Sequence, residues 1–114
     1  MTNSEKYLIV EIHNQIKHWS ELAATSMKEV GWDTPWTAKL DLFRKAGIAL
    51  SPHLSEMEIE ALFREVLLGF AHSILVGIDG GSRLADTTRL KLIDQNGEQL
   101  CSYLHELLAE LEPI

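Results

Sequence analysis

Residues 55–78, SEMEIEALFREVLLGFAHSILVGI, decide the fold. Ser55 and Glu58 have the spacing of a capping box, where each side chain accepts the other residue's backbone N–H at a helix start. Leu54 and Ile59 occupy the two positions of a hydrophobic staple across that start. Ile59, Leu62, Phe63, Val66, Leu67, Phe70, Ala71, Ile74 and Ile78 then recur in steps of three and four, the period of one helical face. Beyond Val66 the apolar residues spread around the helix, because Leu68, Leu75 and Val76 lie off that row. A helix apolar on all sides is a buried one, so this helix is expected at the centre with the others packed around it. The same surplus would also suit a self-association surface. A strand over 73–78 pairing with 90–93 is the alternative, and the unbroken helical phase favours helix.

Upstream, Leu8, Ile12, Ile16, Trp19, Ala23, Met27 and Val30 share a helical face. Thr2 with Glu5 fits a second capping box, and Gly31 supplies a left-handed stop. Thr34-Pro35 starts another helix, with threonine as N-cap and proline at the first helical position. Trp36, Leu40 and Phe43 form its stripe. Gly47 is expected to end it, and Ile48 to fold back onto Phe43.

Downstream, Asp79-Gly80-Gly81-Ser82 breaks the apolar phase and a polar connection follows through Asp86-Thr87-Thr88. Leu90 and Leu92 then alternate with Lys91, and Asp94-Gln95-Asn96-Gly97 is a turn signal, which predicts a small hairpin or extended excursion near residues 89–100. Two strands alone are marginal in water and must lean on helices. Leu100, Leu104, Leu107, Leu108 and Leu111 form a last helix stopped by Pro113. The fold read from this pattern is mainly α, a single-domain bundle of four or so helices across 1–114.

The totals agree with one folded domain. At 114 residues and 46% hydrophobic composition the chain can bury a core without staples. Its net charge of −7 and lack of any Lys/Arg cluster argue against nucleic acid and anionic membranes as partners, and favour basic surfaces. The N-terminus lacks the basic-then-apolar profile of a signal peptide. The most apolar run, 66–78, reads as too short and too polar to span a bilayer. A cytoplasmic protein, monomeric or a small homo-oligomer, is expected. Cys101 has no disulfide partner and falls on the apolar side of the last helix, where a small core residue is expected.

Catalytic constellations are weak. His13 and His18 are spread about 140° around a helix and make poor co-ligands. His72, Asp79 and His105 would support a small-molecule or metal site only if the fold brought them together in a concavity. No G-x-S-x-G elbow, zinc-helix spacing or phosphate-loop lysine is present, so no enzyme activity, cofactor or metal is expected. The Asp79-Gly80-Gly81-Ser82 loop reads as a helix terminator. Trp32 and Trp36 flank Asp33 in a connection, where aromatics either cover helix ends or serve an interface.

The order Phe70-Ala71-His72-Ser73-Ile74-Leu75-Val76-Gly77-Ile78-Asp79-Gly80-Gly81-Ser82, then Leu92-Ile93-Asp94, Asn96-Gly97-Glu98 and Leu104-His105-Glu106-Leu107, resembles small bacterial immunity proteins of contact-dependent-inhibition and related polymorphic toxin systems. The resemblance covers about a third of the chain. It implies a non-catalytic cytoplasmic protein that occludes the cleft of a basic toxin domain, a nuclease being one such domain. The partner-binding residues expected on that reading are Asp79, Asp86, Asp94 and Glu98, with Trp32 and Asp33 as a second patch. A helical protein acting through self-association is the alternative, marked by a large exposed apolar surface.

Overall fold

A computed structural model describes residues 1–28 and 36–111. The described residues contain five helices and no strand: α1 Asn3–Lys28, α2 Leu40–Leu50, α3 Glu56–Ile78, α4 Leu84–Thr87 and α5 Leu104–Glu110. The mainly α fold expected from sequence is therefore present. Contacts gather into two compact units, one of Met1–Gln15 with Leu68–Ile114 and one of Ile16–Leu67. Helices α1 and α3 each contribute a segment to both.

Helix starts follow the capping chemistry. At α1, Thr2 N–H donates to Glu5 Oε1 at 2.8 Å and Glu5 N–H to Thr2 Oγ1 at 3.2 Å. At α3, Ser55 N–H donates to Glu58 Oε1 at 3.0 Å and Glu58 N–H to Ser55 Oγ at 3.2 Å. Residues 73–78 are helical. The end of α3 is a Schellman closure: Gly81 N–H reaches Val76 C=O at 2.9 Å and Gly80 N–H reaches Gly77 C=O at 3.2 Å. This wrap puts residue 80 at φ +87°, a left-handed conformation in which a side chain is strained and glycine is not. The glycine loop thus terminates a helix, as its position after an apolar run implies.

The unit of Met1–Gln15 with Leu68–Ile114 centres on Ile9, Leu75, Leu104, Leu107 and Leu108, with Leu8, Ile12, Leu68 and Leu92 packed against them. The excursion near residues 89–100 is a minimal hairpin. One antiparallel bridge joins Ile93 to Gln99, Leu100 N–H donates to Leu92 C=O at 2.8 Å, and Gly97 takes φ +82° at the tip. The last helix begins at Leu104, later than the leucine spacing suggested, and α4 forms where only a polar connection was expected.

In the unit of Ile16–Leu67, Ile16, Ser20, Ala23, Ala24, Ser26 and Ile59 are buried. Trp19 was expected in the core but stands exposed, because the buried row of α1 is carried by small residues. Ser20 and Ser26 satisfy their hydroxyls on the carbonyls of Ile16 and Leu22, at 2.6 and 2.7 Å. Trp36 turns inward: its Nε1–H donates to Ser26 Oγ at 2.8 Å and its ring meets Trp19 and Phe43 edge-on. Phe43 in turn stacks near Phe63, with centroids 6.5 Å apart. The expected start of α2 at Thr34-Pro35 lies outside the described residues.

Two expectations from sequence do not hold in the fold. Gly47 does not end α2, which runs through it to Leu50, and Ile48 projects into solvent. Gly47 is buried because the backbone of Met27 occupies the space a side chain would need: a Cβ there would overlap the Met27 carbonyl oxygen and come within 2.7 Å of its carbonyl carbon. Its glycine therefore serves close helix approach, not termination. The second correction concerns α3, which is not a buried central helix. Only Ile59 and Leu75 along it are buried, whereas Met57, Leu62, Val66, Phe70 and Ile74 are exposed. The helix spans the length its sequence pattern implies; the apolar run 66–78 was read as too short to cross a membrane, whereas by length and composition alone the 23 residues of α3 suffice.

The two mid-helix glycines give opposite expectations. Gly47→Ala should lower stability by roughly 1–3 kcal/mol through overpacking against Met27. Gly69→Ala meets nothing within 4 Å and should raise it by about 0.5–1 kcal/mol through helix propensity. Urea unfolding midpoints at constant slope measure both, and a tolerated Gly47→Ala would show that the α1–α2 approach is looser than described.

Candidate functional site

Helix α5 is seven residues long and is preceded at its N-cap position by Tyr103, whose side chain supplies no cap. Its free N-terminal N–H groups need an acceptor, and that acceptor comes from the end of α3. Asp79 Oδ2 accepts the backbone N–H of His105 at 2.9 Å and the ring Nδ1–H of the same residue at 2.6 Å. Because its partner is a carboxylate oxygen, Nδ1 is the donor in this contact. The Asp79 side chain is only 3% exposed, against 26% for His105. His72, on α3 about two turns before Asp79, lays its ring edge-on to His105 with centroids 5.5 Å apart.

His72, Asp79 and His105 therefore do converge. An Asp–His pair of this kind orients an imidazole as in acid–base catalysis. No serine, threonine or cysteine side chain hydrogen-bonds to His105 Nε2 among the described residues, and no group of three or more potential metal ligands occurs there. The pair acts as a latch: one carboxylate oxygen caps α5 and fixes the ring.

The other oxygen, Asp79 Oδ1, is buried with no hydrogen-bond partner. Asp79 is also among the residues around a cavity of about 170 Å³ bounded by 78–80, 89–92, 99–102 and Leu104. Arg89 and Lys91 stand on the exposed side of this cavity, while Ile78, Leu92, Leu100 and Leu104 supply its apolar wall. The Arg89 guanidinium passes close over Gly80, its Nη1 lying 3.4 Å from where a Cβ would sit.

Two further carboxylates tie this unit together. Glu5 is buried, and beyond its capping role its Oε2 accepts the N–H of Cys101 at 2.6 Å. Hydrogen bonds from the backbone of Thr2 and Cys101 hold its pKa below the ordinary carboxylate value, against the opposing effect of burial. Asp94 accepts from the N–H groups of Asn96 and Glu98 at 2.9 and 3.0 Å and from Ser4 Oγ at 2.9 Å. Its pKa is likewise lowered, chiefly by the Glu98 backbone and then by the Ser4 hydroxyl. Cys101 is partly buried, and burial together with the nearby carboxylates of Glu5 and Asp79 raises its thiol pKa despite a hydrogen bond with the Tyr103 backbone. A thiol pushed upward is a poor nucleophile, in keeping with a packing role.

The expected partner-binding residues accordingly separate. Asp79 is corrected from an exposed contact to a buried cap, and Asp94 is largely consumed by the hairpin turn and Ser4. Asp86 on α4 and Glu98 in the turn are exposed. Trp32 and Asp33 lie outside the described residues. What sequence reasoning missed is Glu5, whose capping-box spacing disguises a contact 96 residues away, and the exposure of α3.

That exposure forms a second candidate surface. Leu62, Val66, Phe70 and Ile74 are 56%, 69%, 64% and 50% exposed and follow each other at four-residue intervals along the helix. In the unit of Ile16–Leu67, Leu62 and Val66 border an apolar depression of about 150 Å³ with Met27, Leu50, Ile59 and Phe63. No family model, no curated protein and no solved structure matches this chain.

The lowered carboxylate pKa values set the acid limb of stability. A group whose folded pKa is depressed contributes stability that is present above its unfolded value near 4 and is lost as pH falls through the folded value. Stability should therefore decline below about pH 4, and Glu5→Gln should weaken that decline. Glu5→Ala leaves the Cys101 N–H without its acceptor and should cost about 1–3 kcal/mol at neutral pH. Denaturant titrations from neutral to acid pH check both, and an unchanged acid limb in Glu5→Gln would remove Glu5 from the account.

Proposed function

We propose that this protein is a non-catalytic binding module that docks a basic protein partner on the exposed face of α3. The observation that carries the reading is the row Leu62, Val66, Phe70 and Ile74. Apolar side chains left half or more exposed in one row, rather than scattered singly, are the mark of an interaction surface. The apolar depression beside Leu62 and Val66 suits the anchoring side chain of a partner, the usual centre of an interface.

Magnitudes favour a charged partner over a purely apolar one. Full burial of a Leu, Val, Ile or Phe side chain is worth about 1.5–3 kcal/mol. Completing the burial of four half-exposed ones therefore supplies roughly 3–7 kcal/mol. Association costs about 4–15 kcal/mol in lost freedom, so the row needs further contacts. Charge supplies them: α3 carries Glu56, Glu58, Glu60 and Glu65 against Arg64, and the chain as a whole is at −7. Glu58 and Glu65 lie one turn from Leu62 on either side. A basic partner gains both encounter rate and register from such a rim, while a second copy of this acidic chain meets repulsion.

The resemblance of 70–108 to bacterial immunity proteins gives this partner a class, a basic toxin domain whose cleft the protein covers in the cytoplasm. Asp86 and Glu98 remain available as further acidic contacts on that reading. Self-association through the same row is the second reading, and the exposed α3 residues favour it equally on apolar grounds alone.

Co-expression with the protein encoded immediately upstream tests the proposal. Stable co-purification, toxicity of that neighbour's C-terminal domain alone and protection by this chain are the expected results. Val66→Asp should abolish the complex while leaving helix content and the unfolding midpoint near wild type, and Glu65→Lys should slow association most at low salt. A harmless neighbour that does not bind sinks the toxin assignment. A concentration-dependent mass that Val66→Asp removes would install self-association instead, and sedimentation with zwitterionic lipid vesicles would replace a protein partner by a bilayer.

A further inference from the structure

The apolar depression in the unit of Ile16–Leu67 restricts what can occupy it. Met27 of α1, Leu50 of α2 and Ile59, Leu62, Phe63 and Val66 of α3 line it, and none of these side chains offers a hydrogen-bond donor. Between Ile59 and Val66 the backbone C=O groups of α3 are already paired within the helix. An extended segment pressed onto this surface would bury its own backbone groups without partners, which is costly. A helix arrives with its backbone satisfied. The volume of about 150 Å³ matches an apolar cavity able to hold a benzene ring, so it admits one side chain of leucine or phenylalanine size.

Charge sets the second restriction. At 100° per residue, Glu58 and Glu65 lie about 40° and 60° around α3 from Leu62, on the side away from Ile59 and Phe63. They stand about 10.5 Å apart along the axis, close to two turns. Both are exposed, and neither forms an ion pair among the described residues. The nearby cations are engaged elsewhere: Arg64 pairs with Glu60 at 2.6 Å and Lys28 with Glu56 at 3.8 Å. Hydrogen bonding to the Ser55 backbone holds the Glu58 pKa below the ordinary carboxylate value, so its charge persists at neutral pH.

We infer that the partner meets this surface with an amphipathic basic α-helix, whose leucine- or phenylalanine-sized anchor fills the depression while two Lys or Arg residues seven apart meet Glu58 and Glu65. This rests on the reading of α3 as the docking surface for a basic protein. The anchor falls three or four positions from each basic residue, which sets it beside the basic edge on the same face of the partner helix. Two contacts along one edge hold the helices at a shallow crossing angle, about 20°. A second copy of α3 would bring glutamates at that spacing and meet repulsion.

The test uses alanine-based synthetic peptides of about 15 residues, stapled through side chains because so short a helix is otherwise marginal. The first carries one leucine, with lysines three positions before it and four after. Titrated into the full chain, it should move the methyl NMR signals of Met27, Leu50 and Val66 saturably, with a Kd of about a millimolar or tighter. Replacing its leucine by alanine should weaken binding about tenfold or more, and replacing both lysines by glutamate should abolish it. Lysines set five apart, about 140° around the helix, should bind about threefold or more weakly at low salt. Glu65→Gln should weaken the first peptide to a similar degree. An unstapled version with a central proline should bind about tenfold more weakly, since proline breaks the helix. The inference is overturned if the first peptide gives no saturable shift by about 10 mM. It is equally overturned if the proline peptide binds as tightly, or if lysine spacing makes no difference. Failure of the docking surface itself looks different. Silent peptides beside a co-purified partner that Val66→Asp releases would keep the surface and remove the helical occupant. Self-association that the first peptide does not displace would give the depression to a second copy.

Discussion

The carboxylate of Asp79 is the constraint on which the unit of Met1–Gln15 with Leu68–Ile114 depends. Helix α5 is too short to be stable by itself, since an isolated helix below about 12–15 residues is marginal in water. It survives because three of its leucines are buried in the core of that unit and because its first turn is capped from the end of α3. The cap comes from a distant residue, so helix formation and tertiary docking are one event: α5 has no capped start until α3 has ended at Asp79. That ending in turn requires Gly80, whose left-handed backbone closes α3 and leaves the preceding side chain free to turn toward His105. Removal of either residue would therefore act on both helices at once.

Glu5 and Asp94 extend the same logic. Each is a carboxylate that satisfies a local turn with one oxygen and reaches a remote segment with the other: Glu5 joins the first turn of α1 to Cys101, and Asp94 joins the hairpin tip to Ser4. The segments so tied are the ones with least regular structure, the single-bridge hairpin and the approach to α5. In a chain with few strands to pair them, the N–H groups of 89–103 find side-chain acceptors instead. A net charge of −7 thus overstates the acidity of the surface, because the carboxylates of Glu5 and Asp79 are buried.

The residues that announce themselves in sequence are those whose chemistry is local. Capping boxes at Thr2–Glu5 and Ser55–Glu58, the stop at Gly80-Gly81 and the Asn96-Gly97 turn all depend on neighbours within about four positions, and each forms as its spacing implies. Gly47 misleads because the same residue type answers two needs, a left-handed stop or close approach of another backbone, and only the position of Met27 separates them. Asp79 misleads for a related reason. An aspartate beside two glycines has the composition of an exposed turn, and nothing in the sequence indicates that an uncapped helix begins 25 residues later. The convergence of His72 and His105 on it is likewise a property of the packing of α3 against α5 within one unit, invisible to periodicity.

The exposure of α3 is the most informative departure. Apolar residues all around a helix imply burial only if the chain has enough other apolar surface to cover every side. Here α1 turns small residues, Ser20, Ala23 and Ala24, toward its buried row, and α2 brings Gly47 against Met27. Small residues let backbones approach closely, but they cover little of a neighbouring helix. Within the unit of Met1–Gln15 with Leu68–Ile114, helices α4 and α5 have four and seven residues, too few to wrap the segment of α3 that belongs to it. The row Leu62–Val66–Phe70–Ile74 is what remains uncovered. Polar residues at these positions would serve helix propensity as well, so the formation of α3 does not itself call for apolar ones.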